Sequence, residues 1–197
     1  MDSRERHLSD IMTTGVDLDK RRIYLTGEVT QGMAHRVIIA LHHIDATEGT
    51  ITFIVNSEGG EEIAGYAIYD AILMAKNQVA MEVVGSVFSI AAAIFQAGDT
   101  RRMSPNSEMM IHNGSIGTDE NMQQNAIVEM ADQIVKNNKR YHGILANASK
   151  MTYAEVEDAC EKDSFFSAEE AVKSGLCDEI IPAFKKKQTR KRKRSKE

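Results

Sequence analysis

The stretch GSVFSIAAAIFQAG, residues 85–98, links a short apolar strand to a helix built from Ala, Ile and Phe. We predict the strand over Ala80–Val84, ending at Gly85, and the helix over Ser89–Ala97. Because this helix is apolar on every side, we expect it to be buried. Ser89 lies at its first position, where a serine is either a structural N-cap or a nucleophile at a helix N-terminus.

Strands of similar composition recur along the chain at a near-constant spacing. The last residues of four strands are 30, 29 and 27 positions apart, and helical patterns over Met33–Ile44 and Ile63–Met74 fill the first two gaps. The strands are Arg22–Leu25, Thr50–Val55, Ala80–Val84 and Met109–Ile111. This period predicts an α/β fold of stacked strand–helix units. The loops after such strands meet at one sheet edge, which would bring together Asn56–Gly60, Gly85–Ser89 and His112.

A long helix is predicted over Asn121–Ala148. At ~1.5 Å per residue it would be roughly 40 Å long, more than a body of this size can cover. Its apolar face consists of Ile127, Met130, Ile134, Tyr141 and Leu145. We expect a partner to cover that face, because an exposed apolar stripe promotes aggregation. Shorter helices with capping-box signals begin at Thr152 and Ser167, and a final strand is predicted over Leu176–Ile181.

Charge is distributed unevenly along the chain. Residues 185–197 carry a net charge of +8, so the whole-chain charge of −5 leaves −13 on residues 1–184. Nucleic-acid binding by such an acidic body is not expected, and only the tail attracts phosphate. We predict a single domain over residues 1–184 and a basic, disordered tail over residues 185–197.

Neither a membrane segment nor a metal site is indicated. No apolar run approaches 18 residues, and the N-terminal residues lack the apolar core of a secretory signal. Cys160 and Cys177 lack zinc-ligand spacing, and His35 and His42 share a helix face without a carboxylate to complete a ligand set. A phosphate-binding GxxxxGK[ST] motif is missing, so we do not expect the chain itself to hydrolyse ATP. We predict a cytoplasmic protein with no metal and no cofactor.

Each candidate site residue has an ordinary structural explanation when taken alone. Ser89 could be a cap, His112 a buried structural histidine, and Gly59-Gly60 a turn that needs positive φ. Their joint position after successive strands favours chemistry instead. Acyl transfer needs a nucleophile, a base within hydrogen-bond reach and amide donors for the oxyanion. The Ile90 amide and the Gly-Gly turn offer such donors.

Six motifs in order resemble the Clp protease proteolytic subunit, a serine peptidase of ATP-dependent proteolysis. They are IYLTGEV (Ile23–Val29), IVNSEGG (Ile54–Gly60), AGYAIYDAI (Ala64–Ile72), GSVFSIAAA (Gly85–Ala93), SPNSEMMIH (Ser104–His112) and KDSFFSAEEAVKSGLCDEII (Lys162–Ile181). The resemblance implies the stacked ββα fold shared with crotonases, with a protruding handle helix.

The resemblance also implies the catalytic residues. Ser89 would be the nucleophile, His112 the general base and Asp163 the orienting carboxylate, while Gly60 and Ile90 would supply the oxyanion amides. Chemistry alone leaves Asp163, Asp158 and Glu161 equivalent. By the same resemblance, the chain would cut unfolded polypeptides inside stacked homo-oligomeric rings, heptameric in the family, fed by an AAA+ unfoldase.

Departures from the family pattern keep other functions open. Glu58 stands where the family has Pro, Ile90-Ala91 where it has Met-Gly, and Asn113-Gly114 where it has Gln-Pro. Glu58 would add negative charge beside the oxyanion amides. The alternatives are a weak or inactive assembly subunit, a phage head-maturation protease of related fold, and an acyl-CoA enzyme of the crotonase type.

Overall fold

The computed structural model describes residues 2–115 and 124–182, and within these residues the chain forms seven helices and eight strands. The helices are α1 (Ser3–Thr14), α2 (Gln31–Ile44), α3 (Glu62–Leu73), α4 (Ile90–Phe95), α5 (Gln124–Ala148), α6 (Tyr153–Glu161) and α7 (Ala168–Ser174). The strands are β1 (Val16–Asp17), β2 (Arg22–Thr26), β3 (Ile51–Ser57), β4 (Val79–Phe88), β5 (Thr100–Met103), β6 (Glu108–Ile111), β7 (Ser164–Ser167) and β8 (Glu179–Ile180). The predicted α/β class is confirmed.

The sheet runs in the order β1-β2-β3-β4-β5-β8, and all pairs are parallel except β1 with β2. Along its length β4 pairs with two different strands in addition to β3. Its first half, Ala80–Val83, pairs with β5, and its second half, Ser86–Phe88, pairs with β6. β6 also pairs with β7 in antiparallel orientation, which joins the C-terminal part of the chain to the second half of β4.

The predicted end of β4 at Val84 is wrong. The strand continues to Phe88, although Gly85 has a φ of +109°. The Asn56 side chain accepts a hydrogen bond from the Ser86 N–H at 3.0 Å, so the strand bends at Gly85 without losing its neighbour. A glycine at positive φ therefore marks a bend in this strand. Ser89 is consequently carried by the second half of β4, beside β6.

The core lies around α4, whose six residues are all buried, as expected for an apolar helix. α3 approaches α4 closely at Gly65, where the absence of a side chain leaves room for Ile90 of α4. α2 adds Val37, Leu41 and Ile44 to this core. Burying a side chain such as Ile or Leu contributes about 1.5–3 kcal/mol, so these contacts fix the position of the helix that begins after Ser89.

The N-terminal region contains a helix that the sequence analysis did not predict. α1 begins with a capping box between Asp2 and Glu5 and ends at Gly15, which adopts the left-handed conformation. The helix is strongly polar and lacks a clear apolar period, so its only sequence signals are these two caps. Sequence periodicity could not reveal it because burial contributes little to its formation.

The long helix α5 does not present its apolar face as one exposed stripe. Tyr141 and Leu145 are buried in the body of the same chain, whereas Ile127, Val128 and Val135 in the first half are exposed. The expectation that a partner covers the whole stripe is therefore wrong for its C-terminal half. Residues 121–123 of the predicted helix lie outside the described residues.

The C-terminal strand is shorter than predicted. Leu176 and Cys177 are buried before the strand begins, and β8 consists of Glu179–Ile180 alone. Arg101 on β5 secures this segment through a salt bridge to Asp178 at 2.6 Å. The predicted basic tail over residues 185–197 lies outside the described residues.

Candidate active site

Ser89 connects β4 to α4 in an unusual backbone conformation, with φ 56° and ψ −131°. Residues with a Cβ seldom adopt positive φ, and such strain is concentrated at functional sites. The Ser89 side chain makes no capping hydrogen bond to α4, so the structural N-cap explanation does not hold. Its N–H donates to the Met110 carbonyl at 2.9 Å, which ties this turn to β6.

His112 follows β6 directly and meets Ser89. The Nε2 atom of His112 lies 2.8 Å from the Ser89 Oγ, which is hydrogen-bond distance. The pairing of β4 with β6 brings Phe88 opposite Met110, so the residues that follow both strands approach each other. The predicted meeting of strand-end loops is confirmed for this pair.

Asp163 reaches the other side of the His112 ring through β7. Ile111 pairs with Ser164 in the antiparallel β6–β7 ladder, which places the next residue of β6 beside the preceding residue of β7. The Asp163 Oδ1 lies 4.0 Å from the His112 Nδ1, beyond hydrogen-bond distance, and the Asp163 side chain is 72% exposed. The structure therefore brings Asp163 near His112 without a hydrogen bond between them.

The Gly59-Gly60 turn packs tightly against Ser89. Gly59 has a φ of +93°, and a Cβ added there would lie only 2.6 Å from the Ser89 Cβ. The turn is held by Val29, whose N–H donates to the Gly59 carbonyl and whose carbonyl accepts from the Glu61 N–H. Glycine at position 59 is thus required both by its φ and by the close approach to the serine.

The two predicted oxyanion amides lie beside the same serine. Ile90 is the residue after Ser89, and Gly60 lies within the turn that packs on Ser89. In the described part of the chain, no hydrogen-bond acceptor occurs for the Gly60 N–H or the Ile90 N–H. The Ile90 side chain is buried, with 2% exposed. Because the proposed donor is the backbone N–H, Ile90 keeps that donor at the position where the family has Met.

Two residues of α5 form hydrogen bonds to this site and were not identified from sequence. The Tyr141 hydroxyl donates to the Ser89 carbonyl at 2.9 Å, and burial raises the pKa of Tyr141 well above its usual value. The His142 Nε2 lies 2.8 Å from the Asn113 Oδ1, and burial lowers the pKa of His142. The one sequence signal for the Tyr141 contact is its hydroxyl group, which interrupts an otherwise apolar helix face.

A groove of about 520 Å³ opens beside Ser89 and His112. Gly60 lines one wall, and Ile134 from α5 lines another. Ile134 is therefore part of the site as well as part of the exposed half of the long helix. Glu58 is exposed and is not among the residues that line the groove.

Other sequence candidates do not join this site. His35 and His43 line a separate cavity of about 750 Å³ between α1 and α2. In residues 2–115 and 124–182 there is no group of three or more potential metal-ligating side chains. Cys160 and Cys177 are both free and buried, and burial raises the pKa of each thiol. No helix among the described residues is long and apolar enough to cross a membrane.

Comparison with known proteins identifies the family. Residues 3–183 match the sequence profile described as Clp protease. The chain is 36% identical over 168 residues to an ATP-dependent Clp protease proteolytic subunit of Lactococcus lactis, covering 83% of this chain and 84% of the relative. Relatives of the same description from Streptococcus gordonii and Streptococcus mutans are 37% and 35% identical, each covering 83% of this chain and 86% of the relative. The chain belongs to the Clp protease family, as its six ordered motifs indicated.

Proposed function

We propose that this chain is a serine peptidase in which Ser89 is the nucleophile and His112 the general base. The observation that carries the proposal is the 2.8 Å contact between the Ser89 Oγ and the His112 Nε2. His112 takes the hydroxyl proton as Ser89 attacks the peptide carbonyl, and then gives that proton to the leaving amine. An acyl-enzyme forms on Ser89, and a water activated by His112 hydrolyses it.

The amides of Gly60 and Ile90 stabilise the oxyanion of the tetrahedral intermediate. Two observations support this role. Both N–H groups lack an acceptor among the described residues, and the Gly59 contact holds the Gly59-Gly60 turn against Ser89. Backbone donors fixed before the reaction need no reorganisation when charge develops. Removing one such donor in a serine protease typically costs about 10²–10³ in turnover.

Asp163 orients His112 and stabilises the imidazolium once it forms. Its support is the β6–β7 register, which places it on the Nδ1 side of the ring. The 4.0 Å separation must shorten for the hydrogen bond to form. Catalytic hydrogen bonds are often long in the free enzyme and tighten in the reacting complex. We therefore assign Asp163 its contact in the substrate-bound state.

The working form is a ring-shaped homo-oligomer, with the two stacked heptameric rings that the family resemblance implies. An AAA+ unfoldase supplies unfolded polypeptide and is the partner that uses ATP. The relatives are named as ATP-dependent proteolytic subunits, and the exposed Ile127, Val128 and Val135 of α5 offer a surface for another subunit. A cytoplasmic location and a single domain with a basic tail complete the proposal.

A weak or inactive assembly subunit is the second candidate, because Asp163 is not bonded to His112. Hydrolysis of a short fluorogenic peptide without ATP distinguishes the two. Our proposal predicts turnover by the wild type and a loss on the order of 10⁶ in Ser89→Ala, if the precedent of subtilisin applies. His112→Ala should lose as much, because the two residues act as a unit. Equal hydrolysis by the wild type and Ser89→Ala would favour the assembly subunit.

A further inference from the structure

The wall of the groove formed by the start of α3 is acidic. Glu61 and Glu62 follow the Gly59-Gly60 turn directly, and both line the groove that holds Ser89 and His112. Among the described residues that line this groove, these two are the ones that carry formal charge at neutral pH, and none is Lys or Arg. The groove is therefore electronegative beside the proposed nucleophile.

Neither carboxylate forms an ion pair. In the described part of the chain, no salt bridge includes Glu61 or Glu62, and Arg140 stacks on the Tyr66 ring at 4.9 Å from its centre. Glu62 is half-buried and accepts a hydrogen bond from the Asn137 side chain, which fixes its position. Glu61 is exposed and free to approach a ligand. One hydrogen-bonded carboxylate and one exposed carboxylate thus line the same groove.

The same groove also has apolar walls. Ile63 from α3 and Ile134 from α5 line it. A lysine or arginine side chain matches this combination, because its methylene stem packs on apolar surface while its charged end reaches a carboxylate. An apolar substrate side chain would use only the isoleucines, and an acidic one would be repelled.

We propose that Glu61 and Glu62 select polypeptide segments with a Lys or Arg side chain next to the cut bond. This inference rests on the proposed peptidase function of Ser89 and names its substrate class. An exposed ion pair changes binding by up to about fivefold, so we expect a preference of about that size from the two carboxylates together, and it should weaken with added salt.

The test uses three fluorogenic peptides that differ at one position beside the cut bond, with Lys, norleucine or Glu. Norleucine keeps the lysine stem and lacks the charge. For the wild type we expect kcat/KM to be about fivefold higher with Lys than with norleucine, and lowest with Glu. Glu61→Gln should reduce the Lys preference, and the Glu61→Gln/Glu62→Gln double variant should abolish it. Asp70→Asn, which removes an exposed carboxylate about 12 Å farther along α3, should leave it unchanged.

Binding of the same peptides to Ser89→Ala separates this inference from the catalytic proposal. If Lys peptides bind Ser89→Ala more tightly than norleucine peptides, selection stands even where turnover fails. Equal binding and equal kcat/KM for Lys and norleucine, or an unchanged preference in Glu61→Gln and the double variant, would overturn the inference. Because Glu61 is exposed, its single variant keeps the test valid if loss of the Glu62–Asn137 contact impairs folding.

Discussion

On one side of its ring His112 meets Ser89 at 2.8 Å, and on the other it faces Asp163 at 4.0 Å. The serine side is built from β4, β6 and α4, which belong to the core. Ser89 is held there by hydrogen bonds to Met110 and from Tyr141. The carboxylate side rests on a short loop before β7, and Asp163 is 72% exposed.

This difference indicates which part of the site the chain can form by itself. Contacts between packed elements are fixed when the chain folds, whereas a contact at an exposed loop needs substrate or another subunit to close it. We infer that the nucleophile and base are set in the free chain, and that the orienting contact is completed on binding.

The largest effect in this set is expected on the carboxylate side. Asp163→Asn should lower kcat by about 10⁴, because an amide favours the wrong histidine tautomer. Asp158→Asn is the matched control: Asp158 is an exposed neighbour that binds Lys162, and its loss should leave kcat within a few-fold of the wild type. Steady-state peptide hydrolysis measures both. A loss below tenfold in Asp163→Asn would show that the long contact is never used.

The Gly59 contact tests the serine side. Gly59→Ala would place a Cβ 2.6 Å from the Ser89 Cβ, so the serine or the turn must move. Displacements of about 1 Å at a catalytic group cost on the order of 10² in rate, and we expect at least that loss in kcat/KM. Gly27→Ala has a similarly strained φ of +81° but open space around the new Cβ. Equal losses in the two variants would contradict a specific role for the Gly59–Ser89 contact.

Tyr141 supports Ser89 from behind, and a smaller effect is expected there. Tyr141→Phe removes the hydrogen bond to the Ser89 carbonyl, which is worth about 1 kcal/mol. We expect kcat to fall about fivefold with KM unchanged, because the hydroxyl positions the nucleophile without touching substrate. Tyr69→Phe, whose hydroxyl has no hydrogen-bond partner among the described residues, is the control. A rise in KM alone would assign Tyr141 to substrate binding.

His142 contacts Asn113, the residue after His112, and we expect protonation of His142 to change the stability of the fold. Burial lowers the pKa of His142, so below about pH 6.5 the unfolded chain binds a proton that the folded chain does not. Stability is therefore full above that pH and falls as pH decreases towards the folded-state pKa. Thermal unfolding at pH 8 and pH 5.5 should show a larger decrease in Tm for the wild type than for His142→Gln. Identical decreases would contradict this linkage.

Sequence predicted the serine side better than the carboxylate side, for physical reasons. β2, β3, α2 and α3 have recognisable apolar patterns and α4 is apolar throughout, so their order and the meeting of Ser89 with His112 followed from strand spacing. β7 has the sequence SFFS with no clear alternation, and its pairing with β6 was not predicted. Without that pairing, chemistry alone could not distinguish Asp163 from Asp158 or Glu161.

Long-range contacts limited the remaining predictions. Periodicity places Tyr141 on an exposed stripe, because it identifies a helix face and does not show what covers it. The Gly-Ser pair predicts too early an end for β4, because such a pair usually marks a turn, whereas here the Asn56 side chain keeps the strand paired. Both errors concern contacts between residues about 30 or more positions apart.

Mapping of the reactive serine tests the central claim most directly. A fluorophosphonate probe reacts with a serine activated by a neighbouring base, and mass spectrometry of the digest locates it. We predict a label on Ser89 in the wild type and none in Ser89→Ala. Ser57 is buried and donates to the Gly27 carbonyl, and Ser86 contacts Asn56, so neither should react. A label that persists in Ser89→Ala, or that maps to Ser57 or Ser86 in the wild type, would contradict the account.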